Sequence, residues 1–382
     1  MEITRTAFGT WNGGRFMNFG VAVDEERYIK LVRQAFEQGI RTFITADVYG
    51  VGAADSLLGR ALHGLPRTEY SLVAAIGHDF YKGRREGSKG YPRFTDARLR
   101  SPNEYADYLR MATEKCLERT GVDSFDCVLL HNPDYVGYTS EKVWKGMERL
   151  MDAGLTSSVG VAPGPANGFT LDLLLNFQRF EGLVKWAMII LNPLEPWPGK
   201  LCLPAAQKHG VHIITRVVDC GGLFHDDVKP GHAFPPQDHR VFRPAGWVEE
   251  GNRKLEAMRP FAARHGLSLL QLACVWNLSQ LPVSCVVPTL IEELDAAKPI
   301  EQKVKELAGT PNLSLSEEEI AAIEEIGQNR GCMHLKGGNP EHHGEFLPDR
   351  WSLTGELKGV AQRWGIRPEQ DLVCTMVASS AA

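Results

Sequence analysis

The chain has 382 residues, a formal net charge of −5 and 43% hydrophobic residues. That length buries a full core and suits one large α/β barrel plus an appendage. The small charge and the lack of a long Lys/Arg run exclude a nucleic-acid footprint, and no apolar run is long enough to span a membrane.

Short β-branched or apolar runs alternate with helical periodicity. In chain order, a strand is expected at 3–8, a helix at 25–38, a strand at 42–45 and a helix at 53–62. Then come a strand at 71–76, a helix at 102–119, a strand at 127–131, a helix at 141–152 and a strand at 158–161. A helix at 171–180, a strand at 187–191, a helix at 201–209 and a strand at 212–215 follow. Helices at 257–264 and 269–279 precede the last strand at 285–288. Gly39, Gly154 and Gly210 follow helical runs as C-cap glycines.

Eight strands alternating with helices imply a parallel sheet, and eight is the count of the closed (β/α)8 TIM barrel. A doubly wound sheet is disfavoured, because no strand is followed by a G-x-G-x-x-G turn opening a helix. The barrel is expected over 1–310, with a C-terminal helix and extension over 311–382 for which a place over the barrel mouth is one expectation. Ser316-x-x-Glu319 is a capping-box pattern opening a helix over 316–327. Long loops interrupt the alternation at 78–100 and 219–247. In the first, Arg84, Arg85, Lys89, Arg93, Arg98 and Arg100 read as a solvated basic face able to steer an anion.

The N-terminus, Met1-Glu2-Ile3-Thr4-Arg5, lacks an export pattern. None of the eight cysteines forms a C-x-x-C pair. Cys127, Cys274 and Cys285 lie in apolar runs, so reduced core thiols in a cytoplasmic protein are expected. Cys332, His334, His342, His343 and Glu345 in the tail match no standard zinc spacing and read as solvated residues; no metal is expected.

The segment Thr45-Ala46-Asp47-Val48-Tyr49-Gly50 puts an acid and a phenol at a strand exit, and Phe125 to His131 ends another buried strand with an imidazole. A strand-end carboxylate, phenol and imidazole suit proton transfer to a carbonyl or hydroxyl oxygen. Taken singly, Asp47 fits a turn-capping carboxylate and His131 a core imidazole; their joint spacing favours a site. Trp11, His78, Phe80, Trp197 and Arg216 are candidate substrate contacts at other strand ends.

These residues resemble the aldo-keto reductase superfamily. The likeness is carried by Ala7-Phe8-Gly9-Thr10-Trp11, Ala35 to Arg41, Ala46 to Gly50, Leu58 to Leu62, Phe125 to His131 and Ala153 to Val161, in order over roughly the first 310 residues. The resemblance implies the barrel fold and a Tyr, Lys, Asp and His cluster that reduces carbonyls with NAD(P)H. It makes Tyr49 the proton donor, Asp47 its neighbour and His131 the group that orients the substrate oxygen.

The lysine is missing. Anchoring on Gly77 puts Ala75 in its place, or Ile76 with a one-residue slip, leaving His78 and Arg216 as candidate substitute cations. The family's Ser-Asn after the fifth strand is Ala162-Pro163 here, its glutamine on the sixth strand is Met188, and its stacking aromatic after the seventh is Arg216. After the last strand, Pro288-Thr289-Leu290-Ile291-Glu292-Glu293 brings carboxylates where the family brings cations for phosphate. If NAD(P) binds, Arg216, Gly221, Gly222, Leu223, Pro288 and Thr289 are the residues in line for it.

The expectation is therefore an enzyme without a favoured cofactor, performing non-redox acid–base chemistry on a small carbonyl or sugar-like molecule: elimination, dehydration, isomerisation or cyclisation. The alternatives are an NADPH- or NADH-dependent reductase of such a substrate, or a catalytically silent binding protein.

Overall fold

The computed structural model describes residues 2–87, 90–164, 169–243, 245–294, 298–329 and 353–372. Eight parallel strands are hydrogen-bonded in sequence order: β1 Ala7–Gly9, β2 Thr42–Ala46, β3 Ser71–Ile76, β4 Cys127–His131, β5 Val159–Ala162, β6 Val184–Ile190, β7 His212–Arg216 and β8 Val283–Val287. The circuit closes where Thr6 bridges Val286 and the Val286 amide donates to the Arg5 carbonyl at 2.9 Å. The chain is a (β/α)8 barrel, as its alternating pattern implies.

The helices are α1 Glu25–Glu37, α2 Ala53–Leu62, α3 Tyr105–Thr120, α4 Tyr135–Thr139, α5 Glu141–Asp152, α6 Thr170–Arg179, α7 Leu203–Lys208, α8 Trp247–Arg264, α9 Leu269–Leu278, α10 Ile300–Ala308, α11 Glu317–Gly327, α12 Gly355–Arg363 and α13 Pro368–Asp371. β3, β4, α2 and α5 fall at the expected residues. α8 starts ten residues earlier than the expected 257 and runs through Pro260. Gly251 and Pro260 weaken its helical signal, but Trp247, Val248, Leu255 and Met258 are all buried. The Ser316 capping box forms with both of its hydrogen bonds.

Strand side chains alternate between two apolar layers. Ile44, Ala46, Val73, Ala75, Cys127, Leu129, Met188, Ile214, Cys285 and Val287 fill the barrel interior. Phe43, Leu72, Ala74, Ile76, Val128 and Leu130 face the helix layer. Gly160 is required where β5 and β6 approach: a Cβ there would lie 2.1 Å from the Trp186 carbonyl oxygen.

All strand C-termini open at one mouth. The appended helix α12 packs on α6 with Leu357, Val360 and Ala361 buried, and Trp364 meets His209 edge-on at 6.1 Å. The tail residues Cys332, Met333, His334, His342, His343, Glu345, Trp351 and Cys374 lie outside the described residues, as does Lys89. The six described cysteines are buried free thiols. No helix among the described residues is long and apolar enough to cross a membrane.

Candidate active site

The Asp47 amide extends the β2–β3 ladder by one step, donating to the Ala75 carbonyl at 3.1 Å. The chain then turns sharply through Gly50, Val51 and Gly52, all with positive φ (59°, 55° and 90°). A β-branched residue at such a φ is strained, and strain of this kind gathers at functional turns. The turn brings the Tyr49 ring against the interior cluster, edge-on to Trp11 at 6.3 Å and to His131 at 5.8 Å.

His131 is the last residue of β4 and is nearly buried, at 7% exposure. Its Nδ1 is buried without a hydrogen-bond partner. Burial foremost, then the competing His78 ring and the guanidinium groups of Arg93 and Arg216, hold it well below the usual histidine range, so the ring is neutral. Burial of Tyr49 raises its phenol above the ordinary value while the Arg216 charge opposes the rise, so Tyr49 holds its proton at neutral pH. Arg216 ends β7, and its Nη2 donates to the Pro163 carbonyl at 2.8 Å.

His78 sits against His131, with ring centroids 4.9 Å apart. Its Nδ1 lies 2.9 Å from an Arg93 Nη1 and its Nε2 lies 3.1 Å from the Asn132 amide. Burial first, then Arg93, push it down to about 3. A neutral ring accepting from Arg93 at Nδ1 carries its proton on Nε2, so the Asn132 amide oxygen is the atom that should face it. His78 is therefore not a substitute cation, which corrects that expectation.

Asp47 is 0% exposed, and neither of its carboxyl oxygens has a hydrogen-bond partner. The Val48 amide is near enough to favour the anion but does not meet bonding geometry. Burial foremost, with the Asp55 charge adding, lifts Asp47 well above the carboxylate range against the pull of Arg119. Of the two positions considered for the missing lysine, Ala75 faces the barrel interior and Ile76 the helix layer.

The basic loop is not wholly a solvated face. Arg93 bonds His78 and, through Nε, the Asn132 carbonyl oxygen. Arg100 is 6% exposed and paired with the buried Asp79, whereas Arg98 lies outside and meets Asp96 and Glu86. Arg93, read from sequence only as part of the basic face, and Asn132, which the sequence reading did not single out, both contact His78. Asn132 takes φ 45°, a conformation asparagine tolerates, and an asparagine directly after a strand-end histidine was the available signal. Trp11 walls the site. Phe80 stacks on Tyr81 at 4.1 Å, within its own loop. Trp197 is held away from it, with its indole N–H on the Asp371 carbonyl at 2.5 Å and its amide on Asn329. Among the described residues no His, Cys, Asp and Glu side chains form a metal-ligating group.

The family model described as "Aldo/keto reductase family" matches residues 6–328. The chain belongs to the aldo/keto reductase family. It is 28% identical over 345 residues to a "Probable aldo-keto reductase 1" of Glycine max, covering 88% of this chain and 90% of that one. Its fold matches the glycerol dehydrogenase of Gluconobacter oxydans with TM-score 0.67 at 23% identity, over 85% of this chain and 92% of that one. It also matches an aldo/keto reductase of Klebsiella pneumoniae solved with NADP and acetate, with TM-score 0.56 at 18% identity, over 84% and 90% of the two chains.

Within this aldo/keto reductase fold, the loops after β7 and β8 carry Gly221, Gly222, Leu223, Pro288 and Thr289, at the place where barrels commonly hold phosphate. Here the chain's own acid engages their amides. Asp219 is 0% exposed, and its two carboxylate oxygens accept from the Gly222 amide at 2.9 Å and the Thr289 amide at 2.6 Å. Beside it, Arg240 clamps Glu293 at 2.5 and 2.9 Å and Asp238 at 2.8 and 3.0 Å, all nearly fully buried. At the other end of the expected cofactor path, Ala162 and Met188 are apolar interior residues and Pro163 has no side-chain donor. These residues do not fit the dinucleotide contacts that the resemblance implies.

Proposed function

We propose that this aldo/keto reductase family member is an enzyme acting on the oxygen of a small carbonyl or sugar-like molecule, and that it does so by proton transfer without a hydride step. The observation that carries the reading is Ala75, an alanine facing the interior beside Asp47 where the family's lysine is expected. Tyr49 gives its proton to the substrate oxygen, and His131, neutral, holds that oxygen in place. Arg216 and Arg93 are the cations near the mouth, so negative charge developing on the oxygen meets a favourable field. Enolisation, elimination, dehydration or isomerisation balances when a base takes the carbon-bound proton as Tyr49 gives its own, and neutral His131 is the group at the site able to accept it.

The relatives favour the second reading, an NAD(P)H-dependent reductase. They are named reductases and dehydrogenases, and one solved neighbour holds NADP. The residues of this chain weigh the other way, through the lost lysine, the lost amide contacts and the Asp219 carboxylate among the phosphate-site amides. We rest the conclusion on the residues, because chemistry follows from the side chains in a site and not from the fold that carries them.

Fluorescence titration with NADPH and NADH separates the two. The proton-transfer reading expects no saturable quenching at micromolar cofactor, and solvent deuterium entering a carbonyl or sugar substrate. A general acid supplies about 10²–10⁴-fold, so Tyr49→Phe should slow that exchange by about 100-fold or more. Micromolar cofactor binding with turnover to an alcohol would establish the reductase instead.

A further inference from the structure

Arg100, Arg119 and Arg240 each lie against an acid: Asp79, Asp55, and the pair Asp238 and Glu293. Arg93 differs. It is half-buried, and its bonds go to neutral acceptors, with no carboxylate among the described residues paired to it. Nε donates to the Asn132 carbonyl, and Nη1 reaches His78 Nδ1 at 2.9 Å and the Tyr91 carbonyl at 3.2 Å. The acid whose charge reaches it, Asp134, has both oxygens engaged, by the Gly137 amide at 2.8 Å and the Thr95 hydroxyl at 2.7 Å. The main chain around Arg93 is fixed as well. The loop returns to the end of β3, where His78 and Arg93 form an antiparallel bridge, the Asp79 amide meets the Pro92 carbonyl at 2.8 Å and the Phe94 amide meets the Gly77 carbonyl at 2.9 Å. The remaining nitrogen, Nη2, makes no hydrogen bond among the described residues and is not sealed from solvent. One ring further along, His131 lies against His78 with centroids 4.9 Å apart. It too makes no hydrogen bond among the described residues, with Nδ1 buried and Nε2 not.

A cation held under cover without a counter-ion destabilises the fold unless a ligand brings the anion. We infer that Arg93 is a substrate-binding residue, and that the substrate carries a carboxylate which Nη2 receives while the reacting oxygen lies at His131 and Tyr49. The class is small sugar acids and keto acids with several bonds between the two groups, because the His78 ring stands between Arg93 and His131. One unanswered charge and one open nitrogen match a singly charged carboxylate better than a doubly charged phosphate. Three bonds already hold the guanidinium in place, so little side-chain freedom is lost when the anion arrives. This rests on the reading of Tyr49 and His131 as the place of the reacting oxygen.

The test is calorimetric titration with two pairs of probes, levulinate against its methyl ester and glucuronate against glucose. The unaltered protein should bind at least one acid about 10-fold or more tightly than its neutral counterpart. Arg93→Gln should erase that preference, and Arg93→Lys, which keeps the charge without the planar fork, should retain part of it. The comparison on the unaltered protein covers variants that do not fold. There, equal affinity within both pairs, or no saturable binding of either acid, would overturn the inference. A preference left intact in folded Arg93→Gln would overturn it equally. Inorganic phosphate binding more tightly than both acids would overturn the choice of carboxylate. Tyr49→Phe should keep the preference, since Arg93 is untouched. Binding is read without turnover, so an acid preference in a protein whose deuterium exchange Tyr49→Phe does not slow would sink the proton-transfer reading alone.

Discussion

Asp219→Ala tests the reading of the phosphate site most directly. The carboxylate accepts two main-chain N–H groups across two loops, at 2.9 Å from Gly222 and 2.6 Å from Thr289, and is 0% exposed. Hydrogen bonds to a charged group each contribute about 1.5–3 kcal/mol, and a buried amide left without a partner costs about 1–3 kcal/mol. Against this stands the cost of burying the carboxylate, seen in the upward push on its pKa that the two amides only partly offset. A net loss of about 2–4 kcal/mol is expected, a large share of the roughly 5–15 kcal/mol that holds a domain folded. Urea unfolding should show it as a lower midpoint at unchanged slope, with Asp219→Asn intermediate because it keeps one acceptor oxygen. Alanine also frees the two amides, so inorganic pyrophosphate should stabilise the variant and not the parent. An Asp219→Ala midpoint within about 0.5 kcal/mol of the parent, or equal stabilisation of both by pyrophosphate, would refute the argument.

Three further outcomes are expected. Arg100→Met should cost about 3–5 kcal/mol, since it removes the guanidinium paired with Asp79 at 0% side-chain exposure and leaves that carboxyl only the Tyr81 and Lys82 amides; calorimetry should show Asp79→Asn added to it recovering part of the loss. Gly160→Ala should cost about 1–3 kcal/mol or more, read from the urea midpoint, because its Cβ would lie 2.1 Å from the Trp186 carbonyl oxygen. Stability should fall with acid through the histidines. His78 (down to about 3), His131 and His225 (both well below the usual value, from burial) stay neutral when folded, whereas the unfolded chain takes up protons near pH 6.5. The unfolded state therefore binds more protons below pH 6.5, and the stability these groups contribute is lost as pH falls from there toward about 3. His225→Gln, whose amide can still donate to the Thr289 carbonyl, should flatten that slope by up to about 1.4 kcal/mol per pH unit; an unchanged slope would count against it.

Local pattern carried much of this molecule. Short apolar runs and helical periodicity place β3, β4, α2 and α5, with Gly154 closing α5, because a strand buried on both faces and a helix buried on one are written in short stretches of chain. The strand-end placement of Asp47, Tyr49 and His131 was legible for the same reason, as each residue sits within three positions of a strand end. Short elements were not legible. α4 has five residues, too few for a helical period to show, and the buried face of α8 is masked by Gly251 and Pro260.

What the residues do at the mouth depended on neighbours distant in sequence. The 78–100 loop reads as a row of exposed arginines, yet Arg93 folds back onto His78 and Asn132, and Arg100 goes under to Asp79. His78 reads as a cation and stands neutral between a guanidinium and an amide. The sequence by itself determined the barrel, its family and which polar residues stand at strand ends, since these rest on hydrophobic period and residue type. Only the tertiary structure decided which way burial and neighbouring charges push the buried groups at the mouth, because both depend on contacts such as Asp219 with Thr289, 70 positions apart.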